Sequence, residues 1–178
     1  MALGLLLLSS AAPEPVSGPV TESAPPALTP AELRARVGCE MRQLNPRLNG
    51  SVVERIGRGI ERCIRDQSLP ADLVIAVLGV ESSGRPHAHS PMGALGLMQV
   101  MPHMYEQLEL PGHPALIETN LEAGCILLAD NIARWGEDDG ISAYFWGSKI
   151  RDERYLNKVR AMRGEIEPRF DPGAETCG

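Results

Sequence analysis

Positive charge, aromatic rings and long apolar runs are all in short supply in this chain of 178 residues. Acidic side chains number 23 against 17 basic ones, for a formal net charge of −6. That balance leaves no basic footprint for nucleic acid, so no nucleic-acid partner is expected. It also gives no long-range attraction for an acidic polymer, which would have to be held by local contacts. Aromatic residues make up 4% of the chain, so aliphatic side chains must fill the core. The apolar opening, residues 1–8, is too short to span a bilayer, and no transmembrane helix is expected. There is no GxxxxGK phosphate loop, no GxSxG elbow and no HExxH helix. No cysteine pair has CxxC spacing, which argues against a zinc ribbon. His87 and His89 lie two apart with no further ligand placed beside them. Neither a metal nor any other cofactor is implied. No segment of useful length carries the two-residue period of a strand, and no repeat is visible.

The length suits one domain with a real core. Residues 1–12, an apolar run followed by Ser9 to Ala12, read as the h-region of a secretory signal, although no Lys or Arg precedes Arg34. Residues 13–29, rich in Pro, Ser and Ala, read as a disordered linker. The folded domain is expected over residues 30–164, with an irregular tail over 165–178. Four cysteines, Cys39, Cys63, Cys125 and Cys177, favour two disulfides over four buried thiols in an exported chain. Three pairings are possible. Cys39 with Cys63 is disfavoured, because consecutive antiparallel helices would offset the two by about one or two turns at ~1.5 Å rise per residue.

Helix signals dominate what remains. Thr29, Pro30 and Glu32 form an N-cap, a first-turn proline and the partner of a capping box. They start a helix that Asn45 and Pro46 stop. Ser51 and Glu54 suggest a second capping box, opening a helix to about Gln67. Pro70 opens a third, which Gly84 and Pro86 end. A short irregular or hairpin segment is expected at residues 87–96, then a helix over residues 103–110. Asn120 is read as the cap of a further helix, and Asp139 with Gly140 as a turn. A short helix is expected within residues 141–147 and a final amphipathic one over residues 151–162. The expected class is mainly α.

The third helix carries the residue of most chemical interest. Val74, Val77, Leu78 and Glu81 lie on one face at intervals of three and four. Glu81 therefore occupies the last turn of an otherwise buried stripe. A carboxyl group in apolar surroundings resists ionisation, so its pKa rises and it can hold a proton at neutral pH. That is what a general acid needs. Glu106 and Glu109 follow, but are read as a solvated helix face.

The stretch from Glu81 to Pro102 reads ESSGRPHAHSPMGALGLMQVMP. Its residues Glu81, Ser82, Ser90, Pro91, Gly93, Ala94, Gly96, Leu97, Met98, Gln99, Met101 and Pro102 closely resemble the motif of the lytic transglycosylases of the goose-lysozyme-like type. Asn120, Leu121, Ala123 and Gly124 resemble that family's Asn-x-x-x-Gly helix. Ala143, Tyr144 and Gly147 resemble its Ala-Tyr-Asn-x-Gly segment, and Tyr155 resembles a later cleft tyrosine. The resemblance covers about residues 45–162 and implies a lysozyme-like helical domain that cleaves peptidoglycan glycan strands without water. It implies Glu81 as the catalytic residue. Ser90 would hold the substrate's acetamido group, Gln99 would line the cleft, and Met101 would form an apolar wall. Tyr144 would position the glutamate or the glycan, and Tyr155 would contribute to the cleft. Phe145 stands where that family usually has Asn. Trp146 has two readings, a core aromatic or a ring stacked on a sugar. The rivals are a hydrolytic muramidase on the same fold and a non-catalytic glycan-binding or assembly protein. A periplasmic or secreted location is implied. Wall turnover, a cell-envelope secretion or conjugation apparatus, and a phage all remain open as settings.

Overall fold

A computed structural model describes residues 28–171, 173 and 174. The expected signal segment, nearly all of the linker, and Cys177 lie outside the described residues. Seven α-helices and a 3-10 turn occur among the described residues: α1 (Pro30–Leu44), α2 (Gly50–Gln67), α3 (Ala71–Ser82), α4 (Pro102–Gln107), α5 (Ile117–Trp135), α6 (Glu137–Trp146), α7 (Arg154–Ile166) and the turn Glu167–Phe170. None of these helices is long and apolar enough to cross a membrane.

The sequence of α3, ADLVIAVLGVES, has almost no polar face, and a helix apolar all round belongs in the interior. Residues 72 to 79 are accordingly all buried. Helix α7 packs closely along α3, and α1 and α2 also flank it. Gly79 makes the α7 contact possible, since a Cβ there would lie 2.2 Å from the Met162 sulfur. Asp72, the one charged group buried in α3, meets the Arg163 guanidinium of α7. Arg163 also reaches Glu137 at the start of α6, at 2.8 Å. Helix α2 packs on α5, and α5 pairs with α6.

The expected start of α1 is present: the Glu32 amide donates to the Thr29 hydroxyl, and the Thr29 amide donates to the Glu32 carboxylate. Three other local expectations need correction. Helix α2 is capped by Asn49, whose side chain accepts from the Val52 amide, while Ser51 sits inside the first turn and donates to Asn49. Asn120 does not cap α5, which begins at Ile117; its side chain is buried and holds another segment. Asp139 and Gly140 make no turn. The reversal falls at Gly136, and three acidic residues, Glu137, Asp138 and Asp139, then favour a helix N-terminus. Gly140 is required inside α6, because a Cβ would lie 2.6 Å from the Ile132 Cα of α5.

The described part of the tail is held to the bundle. The final helix runs on to Ile166, and the buried Arg36 donates to the carbonyls of Arg169, Asp171 and Ala174. Cys63 pairs with Cys125, joining α2 to α5. This excludes the disfavoured Cys39–Cys63 bridge, and Cys39 is also disulfide-bonded.

Residues 85–101 cross the face of the bundle without a named strand. Two isolated antiparallel bridges, His89 with Leu95 and Leu95 with Val100, fold them into successive reversals. Helix α5 holds this segment. The Asn120 carboxamide accepts from the Met98 amide at 2.9 Å and donates to the Leu95 carbonyl at 2.8 Å and the Tyr105 hydroxyl at 2.6 Å. Gly96, at φ 75°, leaves room for that carboxamide, and Gly124 leaves room for Met98. Asn120→Ala would strand three buried polar groups. The expected loss is about 3 kcal/mol of stability, read as a lowered denaturant midpoint without a change of slope.

Candidate active site

Glu81 lies in the last turn of α3, just before Ser83 and Gly84 break the helix in left-handed conformations. Its carboxyl lines an open hollow of about 340 Å³ with Val80, Phe145, Trp146, Arg154, Tyr155 and Lys158. The Tyr155 hydroxyl donates to Glu81 Oε1 at 2.6 Å. Burial pushes the Glu81 pKa up to about 7, and the Tyr155 hydrogen bond opposes the rise. Burial also raises the pKa values of both Tyr144 and Tyr155 well above the usual phenol range, with the nearby Glu81 charge adding to the effect. Both phenols therefore stay protonated. Oε2 of Glu81 has no hydrogen-bond partner among the described residues and is the atom free to carry the proton.

A second hollow, of about 230 Å³, is lined by Gln99, Val100, Met101, His103, Met104, Leu127, Asn131, Ala143, Tyr144 and Gly147. The C-terminal end of α6 lines both: Phe145 and Trp146 face the first, Ala143, Tyr144 and Gly147 the second. Among the described residues, Glu81 is the sole carboxyl in either lining. Glu106 and Glu109 are exposed and line neither.

The structure distributes the expected site residues as follows. Tyr155 touches the glutamate directly, while Tyr144 donates to the Met98 carbonyl at 2.8 Å and so holds the 85–101 segment. Gln99 has φ 47°, and its amide nitrogen donates to the carbonyls of Gly96 and Ala88. Its side-chain oxygen remains an acceptor. Met101 lines the second hollow as half-buried wall. Ser90 Oγ accepts from the Ala94 amide at 3.0 Å, which keeps its hydroxyl proton available to donate; Ser90 lines neither hollow. Trp146 is half-buried rather than core, donating from Nε1 to the Asp152 carbonyl, with the Arg151 guanidinium 5.4 Å from its ring.

Sequence reasoning missed Arg154 and Lys158 in the lining, the Tyr155–Glu81 bond, and the stacking of Phe145 on Tyr155. The bond joins residues 74 apart, so no spacing rule could have found it.

The family model described as Transglycosylase SLT domain matches residues 60–161. A curated relative, the transglycosylase of Enterobacteria phage PRD1, is 30% identical over 117 residues, covering 60% of this chain and 44% of that protein. Among solved structures, the inactive glutamate-to-glutamine mutant of the lytic transglycosylase Slt from Pseudomonas aeruginosa matches at 18% identity. Its TM-score is 0.53, over 66% of this chain and 25% of that one. The 70 kDa soluble lytic transglycosylase from Escherichia coli matches at 22% identity and a TM-score of 0.46, over 80% of this chain and 25% of its own. The chain thus spans under half the length of the curated relative and a quarter of these larger enzymes.

Proposed function

Since the chain belongs to the transglycosylase SLT domain family, we propose that it is a peptidoglycan lytic transglycosylase, with Glu81 as the catalytic acid and then base. The observation that carries this reading is that, among the described residues, one carboxyl alone lines the two hollows. Retaining and inverting glycosidases of the common kind need two, one as acid and one as nucleophile or as base for water. One suffices where the nucleophile is the substrate's own hydroxyl.

The proposed course runs as follows. Protonated Glu81, its proton on Oε2, donates to the glycosidic oxygen between N-acetylmuramic acid and N-acetylglucosamine. The bond to the muramoyl anomeric carbon breaks, and the N-acetylglucosamine side leaves as an alcohol. The carboxylate then takes the proton of the muramoyl 6-hydroxyl as that oxygen closes on the anomeric carbon. The product is a 1,6-anhydro ring, no water is consumed, and Glu81 ends protonated as it began. A pKa of about 7 suits both halves at neutral pH. Ser90 donates a hydrogen bond to the acetamido group, the Gln99 oxygen accepts one from the glycan, and Met101 forms an apolar wall. Tyr144 keeps the loop against α6, and Tyr155 holds the carboxyl. Glycan strands of the wall are the partner, and their location puts the enzyme in the periplasm or outside the cell.

Mass spectrometry of digested glycan tests the reading. Muropeptides one water lighter than the hydrolytic products are expected; reducing ends would make the protein a muramidase on the same fold. Tyr155→Phe removes the bond that favours the carboxylate, so the Glu81 pKa should rise. The basic limb of kcat/KM should move to higher pH, with kcat falling on the order of tenfold as the acid half weakens and the carboxyl loses its anchor. An unmoved limb would deny Tyr155 its part.

A further inference from the structure

We propose that Phe145 is a positioning residue that holds the Tyr155 phenol against Glu81. The inference rests on the reading of Glu81 as acid and base, but its test does not need turnover.

Phe145 is 54% exposed, a large apolar ring at the surface that burial does not explain. One of its faces is occupied. It stacks on Tyr155 with ring centroids 4.9 Å apart and planes 14° from parallel. Its other aromatic neighbour is Trp146, edge-on at 4.8 Å. Trp146 is itself tied, through Nε1, to the carbonyl of Asp152. A line of contacts thus runs from the segment before α7, through Trp146 and Phe145 at the end of α6, to Tyr155 and the Glu81 carboxyl.

Tyr155 needs this support because of its place in the chain. It is the second residue of α7, whose N-cap, Glu153, supplies no side-chain cap; Asp152 Oδ1 accepts from the Arg154 amide at 3.0 Å and leaves the later first-turn amides to other partners. Residues 147–151 just before are all exposed. First turns of helices open locally at little free-energy cost. The hydrogen bond that opposes the rise in the Glu81 pKa is thus carried on a first turn, and an aromatic stack from a different helix fixes the plane of its ring. The other ionisable groups facing this carboxyl are Tyr144 from α6, and Arg154 and Lys158 from α7 at the rim of the same hollow.

The test is a carbon-13 titration of the Glu81 carboxyl by NMR in substrate-free protein, assigned by its disappearance in Glu81→Gln. Phe145→Ala should raise the apparent pKa towards the value in Tyr155→Phe. In the Tyr155→Phe background it should add nothing, since the ring acts through that hydroxyl. Phe145→Tyr, which keeps a stackable ring, should titrate like wild type. With substrate, Phe145→Ala should lower kcat severalfold and move the basic limb upward. An unchanged pKa overturns the proposal, even if KM rises, because the ring would then be a sugar platform. A lowered pKa, or a shift that persists without the Tyr155 hydroxyl, also overturns it, because the ring would then act as a screen against water. A raised, non-additive pKa in a protein that forms no anhydro product would leave the proposal standing and remove the proposed activity.

Discussion

Glu81→Gln should lower glycan cleavage by about 10³-fold or more and at the same time raise the melting temperature at alkaline pH. The first effect follows from losing the acid and the base in one substitution, each worth ~10²–10⁴. The second follows from the environment of the same group. Glutamine keeps the shape and can still accept from Tyr155, but it never ionises. In the wild type, the folded-state pKa of about 7 stands above the ordinary 4.5. The folded protein therefore binds the proton more tightly than the unfolded chain. Below about pH 4.5 both states are protonated and the carboxyl carries no penalty. As pH rises from there to 7, the unfolded chain ionises first and stability falls; above 7 the loss is complete. The shift corresponds to about 3 kcal/mol, or roughly 6–12 °C for a domain of this size. Thermal denaturation of both proteins at pH 4.5 and pH 9 reads it. Nearly coincident curves at acid pH, separating at alkaline pH with the variant on top, are expected. Equal curves at pH 9 would mean that the wild-type carboxylate is well solvated, and the proton-holding role would fall with it.

Cys63→Ser/Cys125→Ser should cost more stability than Asn120→Ala. The bridge spans 62 residues of sequence, and closing a loop of that length in the unfolded chain is worth about 4 kcal/mol on the chain-entropy account. The expected fall in melting temperature is roughly 8–16 °C. Both sulfur atoms are buried between α2 and α5, so the serine hydroxyls add a desolvation penalty of their own. The functional consequence follows from what α5 carries. Asn120 on that helix holds Leu95 and Met98 of the segment crossing the cleft. Activity of the variant should match wild type at low temperature and fail early on heating, as α5 loosens from α2. Calorimetry beside a temperature series of digestion checks both parts. A melting temperature within 2 °C of wild type, as an order-of-magnitude threshold, would show that packing alone fastens these helices.

The sequence by itself determined the parts whose signals are local. The capping box of Thr29 and Glu32 places the start of α1, because both partners lie within one turn. The unbroken apolar run of α3 identifies a central helix, and its three-and-four spacing puts Glu81 at the edge of the core. Tertiary structure decided everything that depends on groups distant along the chain. Asn120 looks like a cap from its neighbours, yet works as the clasp of a segment more than 20 residues earlier. Gly140 looks like a turn, yet is glycine because two helix backbones approach closely there. Tyr155 reaches Glu81 across 74 residues, and the Cys63–Cys125 bridge spans 62. The proton affinity of Glu81 is raised by burial and tempered by the hydrogen bond from Tyr155. Helical periodicity states which face a residue occupies within its own helix, and only the packing of α7 against α3, with α6 against α7, decides what meets it there.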